Sequence, residues 1–138
     1  MPATVTHVVD ASAVIAYFKG EEGHERVASL LQDERNVLVI HAVTLCEVYY
    51  NYLKYDGPVQ ANDAWDRASK LLRIVENIAE GFVKRVGRWK VQTNPNLGLG
   101  DSFLAACAEE HAAILVTADR KDFGPIQQAG LIQIEFIR

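Results

Sequence analysis

Cysteine is scarce in this chain. Cys46 and Cys107 are the only two, and neither belongs to a CxxC pair or to a Cys/His spacing. That excludes a disulfide framework and a zinc site, and predicts two buried free thiols in a reducing compartment. The histidines, His7, His24, His41 and His111, show no ligand spacing either. Long apolar runs are missing too: no stretch approaches the roughly 20 residues needed to span a bilayer. Met1 to His7 is short and polar, without the apolar segment of a signal peptide, so a cytoplasmic protein with no membrane contact is expected. Positive charge is in deficit, at 14 Lys and Arg against 18 Asp and Glu, a net charge of −4. Gripping nucleic acid by bulk charge is thereby excluded, although a local basic face remains open. Internal repeats and linkers are absent, which leaves one domain.

What is present is a soluble globular composition, 49 % hydrophobic and 23 % charged. Short apolar runs predict strands at His7–Asp10, Val37–Ile40 and Ile114–Val116. A weak strand is predicted near Ile74–Glu76, and an edge strand at Leu131–Phe136. Between them, helices are predicted over Ser12–Phe18, His24–Gln32, Val59–Leu72 and Asp101–Ala112, with a turn and partial helix over Lys121–Gln128. A further helix starts at Thr44 as N-cap and runs to about Tyr55, with Leu45, Val48, Tyr49 and Tyr52 on one stripe. Ala79–Val91 is another, with Phe82, Val83, Val86 and Trp89 facing inward. Asp56-Gly57-Pro58 breaks the chain, and Thr93–Gly100 is a loop. Short apolar strands alternating with helices predict a three-layer α/β/α sandwich around a mainly parallel sheet of about five strands.

Four acids stand at the ends of these elements. Asp10 closes the first strand, and Glu47 lies in the first turn of the tyrosine-rich helix. Asp101 opens the helix after the loop, and Asp119 follows the Ile114–Thr117 strand. Taken singly, each has an ordinary reading: Asp10 and Asp101 as helix caps, Glu47 as a solvated surface carboxylate, Asp119 as a turn residue. In a parallel sheet, however, strand C-termini and the following helix N-termini share one edge, so the four converge on one cleft. Clustered carboxylates repel one another, and their pKa values rise unless a cation neutralises them. With no His or Cys cluster to favour zinc, Mg2+ or Mn2+ is the expected ion, and phosphodiester hydrolysis the chemistry that such a site suits.

The sequences Val8-Val-Asp10-Ala-Ser12, Val43-Thr-Leu-Cys-Glu47, Gly100-Asp101-Ser-Phe-Leu-Ala-Ala-Cys-Ala108 and Leu115-Val-Thr117-Ala-Asp119-Arg-Lys-Asp122-Phe123 together resemble PIN-domain nucleases. More narrowly, they are similar to the VapC toxins of bacterial toxin–antitoxin pairs. The resemblance spans essentially residues 1–138 as a single nuclease domain. It implies an Mg2+- or Mn2+-dependent endoribonuclease that forms a homodimer, or a heteromeric complex with a small antitoxin protein whose tail fills the active-site groove. By the same resemblance Asp10, Glu47, Asp101 and Asp119 are the catalytic, metal-binding acids. Ser12 and Thr117 are supporting hydroxyls, and Asp122 is an outer acid. Residues 59–76 carry no family motif, which leaves the choice of substrate open.

Tyr49, Tyr50, Tyr52 and Tyr55 have the spacing of a core or dimer interface, with base stacking as the alternative. Lys84, Arg85, Arg88 and Lys90 surround Trp89 on the one concentrated basic helix, and Arg120 and Lys121 flank the cleft; these are candidate RNA contacts. Two other functions compete. A phosphoaspartyl enzyme wants a second Asp two residues after the nucleophile, where Ser12 stands. A non-catalytic PIN-like module that only binds RNA or a protein has no need to keep all the acids.

Overall fold

The computed structural model describes residues 4–92 and 97–138. Strand β1 (His7–Val9) is buried along its length and turns into α1 (Ala11–Lys19), which Gly20 ends in the left-handed conformation at φ 65°. Helix α2 (His24–Gln32) buries Val27 and Leu30 and leads to β2 (Leu38–His41), also buried throughout. Without a loop, β2 becomes α3 (Ala42–Asp56). Gly57 then breaks the chain, and Pro58 starts α4 (Pro58–Leu71), at a position where its missing N–H leaves nothing unpaired. The order is completed by β3 (Arg73–Val75), α5 (Glu80–Gln92), α6 (Leu99–His111), β4 (Ile114–Thr117), α7 (Arg120–Ala129) and β5 (Ile134–Phe136).

The strands form one sheet in the order β3-β2-β1-β4-β5, and every pairing is parallel. Side chains alternate between its faces with the period of a strand. Val8, Val39 and Leu115 pack with Phe82, Leu104 and Phe123 from α5, α6 and α7. Val9, Ile40 and Val116 pack with Val14, Leu45 and Ala64 from α1, α3 and α4. This is the expected three-layer sandwich. β5 lies at an edge, as its alternation predicts.

Strand order reverses between β1 and β4. From β1 the chain steps outward through β2 to β3, whereas β4 and β5 lie on the other side. Such a switch point opens a crevice outside the carboxyl ends of the two central strands, where open α/β sheets bind their ligands. Asp10 follows β1 directly, and Asp119 closely follows β4.

Several expectations need correction. Thr44 is not a cap: α3 begins two residues earlier, and His41 is its N-cap. The His41 Nδ1 accepts the Val43 N–H at 3.1 Å, so the ring proton is on Nε2, which donates to the Asn77 carbonyl at 3.0 Å. The fully buried imidazole also stacks on Phe82 at 5.2 Å. Sequence rules look for a hydroxyl or carboxylate cap, and an imidazole does the same work here. The buried Thr44 hydroxyl has no hydrogen-bond partner. Val83 is exposed, because Phe82, Val86 and Trp89 complete the inward stripe of α5. Cys107 is buried as expected, but Cys46 is exposed, opposite the Leu45–Val48–Tyr52 stripe. The expected loop shortens at its end, since α6 starts at Leu99; residues 93–96 of it lie outside the described residues. Among the described residues no helix is long and apolar enough to cross a membrane.

Candidate active site

Asp10 is where β1 meets β4. Its Oδ2 accepts two hydroxyl hydrogen bonds, from Thr117 at 2.7 Å and from Ser12 at 2.9 Å. Those hydroxyls in turn accept backbone N–H groups, Thr117 from Asp119 and Ser12 from Ala118. Each has spent its single hydrogen on Asp10, so the 3.3 Å approach of Ser12 to Thr117 is a contact rather than a further hydrogen bond. Asp10 is thus fixed from both central strands. Burial pushes its pKa up, and the two hydroxyls work against that shift.

Asp119 is the N-cap of α7, its Oδ1 accepting the Asp122 N–H at 3.0 Å. The turn role that sequence allows it is therefore real, and it lines the cleft as well. Asp101 does not cap its helix: Gly98 is the N-cap, and Asp101 lies within the first turn of α6. One carboxylate oxygen each from Asp101, Asp119 and Asp122 lies within 4.8 Å of the others. Asp122, expected as an outer acid, is instead part of the tightest cluster, because the first turn of α7 carries it back beside its own cap.

Glu47 approaches from α3. It lies in the second turn of that helix rather than the expected first, and its carboxylate rests against Gly100, in the first turn of α6. The N-terminal end of a helix dipole favours a negative charge there.

Together these elements wall a cavity of about 300 Å³ that includes Asp10, Ser12, Glu47, Asp101 and Asp119 in its lining, with no lysine or arginine. Charge accumulates accordingly. Burial first, then the charges of Asp10, Asp122 and Glu47, push Asp101 up to about 8. Burial and the charge of Asp10 push Glu47 up to about 7, and Asp119 is raised chiefly by burial. The donors are all oxygen, the set that Mg2+ or Mn2+ prefers.

None of the basic candidates is among the described residues that line the cleft. Arg85 pairs with Glu109, roughly eight residues or about 12 Å along α6 from Asp101. Lys84 pairs with Glu80 at 3.7 Å, and Arg88 lines a separate concavity with Arg85 and Trp89. Lys90 donates to the Leu97 carbonyl at 2.9 Å. Arg120 lies 4.5 Å over the Phe136 ring and donates to the Arg138 carbonyl, which ties it to the last strand; Lys121 is exposed in the first turn of α7. Of the tyrosines, Tyr52 is core and Tyr49 meets Trp65 edge-on, whereas Tyr50 and Tyr55 are exposed and Tyr50 lines the cleft. Two residues went unnoticed in the sequence. Asn51 lines the cleft, a turn after Glu47 on the same helix face, and Gly100 gives Glu47 its resting place.

The same fold recurs in known structures. A chain of the VapBC2 complex from Rickettsia felis, bound to a promoter DNA fragment, superposes with a TM-score of 0.74 at 18 % identity, over 96 % of this chain and 98 % of that one. VapC20 of Mycobacterium tuberculosis, a sarcin–ricin loop cleaving toxin, gives 0.70 at 18 % identity over 88 % and 95 %. A DNA-bound VapBC of Salmonella typhimurium gives 0.74 at 17 % identity over 97 % and 99 %. No curated protein matches the sequence. Residues 7–125, from the first strand into the last helix, match the family model of the PIN domain, and the chain belongs to that family.

Proposed function

We propose that this protein is a divalent-metal-dependent endoribonuclease and the toxin of a toxin–antitoxin pair. The observation that carries the reading is the acid cleft. Asp101, Asp119 and Asp122 crowd together at the switch point of the sheet, Asp10 and Glu47 stand beside them, and among the described residues no lysine or arginine lines the cleft. Keeping so many carboxylates together is unfavourable unless a cation joins them. Asp101, Asp119 and Asp122 would hold Mg2+ or Mn2+, with Asp10 and Glu47 facing it. When bound, such an ion supplies Lewis acidity toward water and neutralises charge on a phosphate.

The chain's own groups do the rest. Asp10, locked by Ser12 and Thr117, keeps one carboxylate in fixed orientation between the two central strands. Glu47, lining the cleft with the fixed Asp10, is the carboxylate that takes a proton from the attacking water. The partner is a small antitoxin, a reading supported by the likeness to VapBC complexes and to FitAB bound to a DNA fragment. The toxin itself acts as a homodimer or within that complex.

The test is cleavage of total RNA by the purified chain with magnesium, with manganese and with EDTA, beside an Asp101→Asn variant. Metal-dependent cutting that the variant loses is the expected result. Equal cutting by the variant, or cutting that survives EDTA, overturns the reading. RNA bound but never cut identifies a binding module instead.

A further inference from the structure

Among the described residues a single aromatic side chain lines the acid cleft: Tyr50, on the turn of α3 that follows Glu47. Each of the other four tyrosines has a ring or a cation against it. Tyr17 tilts against Phe18, Tyr49 meets Trp65, and Tyr52 and Tyr55 lie under the ammonium groups of Lys19 and Lys54. Among the described residues Tyr50 alone has neither a ring nor a cation against it, and 54 % of its surface is exposed. The side chain nevertheless belongs to the site. It lines the cleft with Glu47 and Asp101, and burial followed by the nearby negative charges raises its pKa, with Lys54 acting in the opposite sense.

Among the described residues the lining contains no lysine or arginine. The proposed cation would meet a phosphate, which leaves the neighbouring nucleoside to contacts that carry no charge. A nucleobase laid on an aromatic ring is such a contact, and it is available only where the base is free of its own stack. We propose that Tyr50 is the stacking platform for an unpaired nucleobase next to the scissile phosphate, and so sets which nucleotide is seated beside the acids. The proposal rests on the ribonuclease reading above, with Tyr50 a specificity-determining residue rather than a participant in bond breaking.

The test separates the two. The full chain is titrated into a labelled single-stranded RNA in EDTA, and cutting of the same RNA is followed in magnesium. An abasic nucleotide is walked through the RNA in both experiments. Tyr50→Ala is expected to raise Kd and KM by about tenfold while kcat changes by less than about threefold, and Tyr50→Phe to restore both constants. At one position the abasic RNA should cost the wild-type protein a similar factor and cost Tyr50→Ala nothing more, the signature of two groups that act only on each other.

Unchanged constants in Tyr50→Ala overturn the proposal, and so does an equal loss in Tyr50→Phe. A loss that adds fully to that of every abasic substitution does the same, including the case in which Tyr50→Ala changes the oligomeric state by light scattering and so marks a subunit contact. RNA bound through Tyr50 but never cut overturns the nuclease reading and leaves the platform standing. RNA cut with Tyr50 inert does the reverse, and RNA neither bound nor cut overturns both.

Discussion

The carboxylate of Glu47 lies so close to Gly100 that a methyl group on that residue would sit 2.9 Å from the Glu47 Cδ, and closer still to one of its oxygens. Only hydrogen fits between α3 and the first turn of α6. Gly100→Ala should therefore swing Glu47 out of place without disturbing the core, since the carboxylate is the free end of a flexible side chain beside an open cleft. We expect RNA cleavage to fall by roughly 10²-fold, the scale of an ångström-sized misplacement in an active site. The melting temperature should hold or rise, because alanine suits a helix better than glycine by up to about 1 kcal/mol. Parallel kinetics and thermal melts check this, and a collapse in stability would refute it.

The acids make stability depend on pH in a definite sense. Glu47 moves from 4.5 in the unfolded chain to about 7, and Asp101 from 3.8 to about 8. Between those values the folded protein binds more protons, so its metal-free stability falls as pH rises. His7, whose pKa burial lowers, acts oppositely, but only below its ordinary 6.5. Melts in EDTA between about pH 6.5 and 8.5 should show a declining midpoint. Added magnesium or manganese should recover more at the upper end, where more carboxylates are ionised. A metal effect that shrinks as pH rises would contradict the metal assignment.

Thr44 keeps its hydroxyl buried and unpaired. Leaving such a group without a partner costs on the order of 1–3 kcal/mol, and valine has nearly the same shape without the hydroxyl. Thr44→Val should be neutral or stabilising by about 1 kcal/mol in urea unfolding. A loss of more than about 1 kcal/mol would mean that the hydroxyl has a partner, such as a buried water.

The thiols should separate cleanly. Cys46 is exposed, whereas Cys107 is fully buried and its pKa is pushed up to about 12 by burial and the charge of Glu110. The thiolate is the reactive form. A thiol reagent should modify one cysteine in the folded protein and both in denaturant, and mass spectrometry should place the first on Cys46. Early labelling of Cys107 would count against the packing described for α6.

Much of the site was legible because its acids punctuate apolar runs. Asp10 ends Val8-Val9, and Asp119 comes just after Leu115-Val116, so a parallel sheet had to bring them to one edge. What escaped notice depends on the phase and packing of helices. Asp122 joins Asp119 because α7 starts one residue earlier than its apolar pattern suggests, which folds both carboxylates into one turn. Glu47 belongs to α6's N-terminus rather than to its own helix's, a relation between segments that no local spacing encodes. Arg85 and Arg88 look like a nucleic-acid face in sequence, yet α5 lays Arg85 against Glu109, near the far end of α6. Charge density is a property of sequence; which end of a helix faces the cleft is not.

The hydrogen bond from Thr117 to Asp10 spans 107 residues, and with it β1 is held beside β4. Bringing together segments so far apart costs loop-closure entropy and slows folding. A growing polypeptide on the ribosome carries Asp10 and Glu47 long before it carries Thr117, Asp119 or Asp122. Under the proposed function, the acid cleft is therefore complete only once the fourth strand has docked beside the first and brought Asp119 and Asp122 to Asp10.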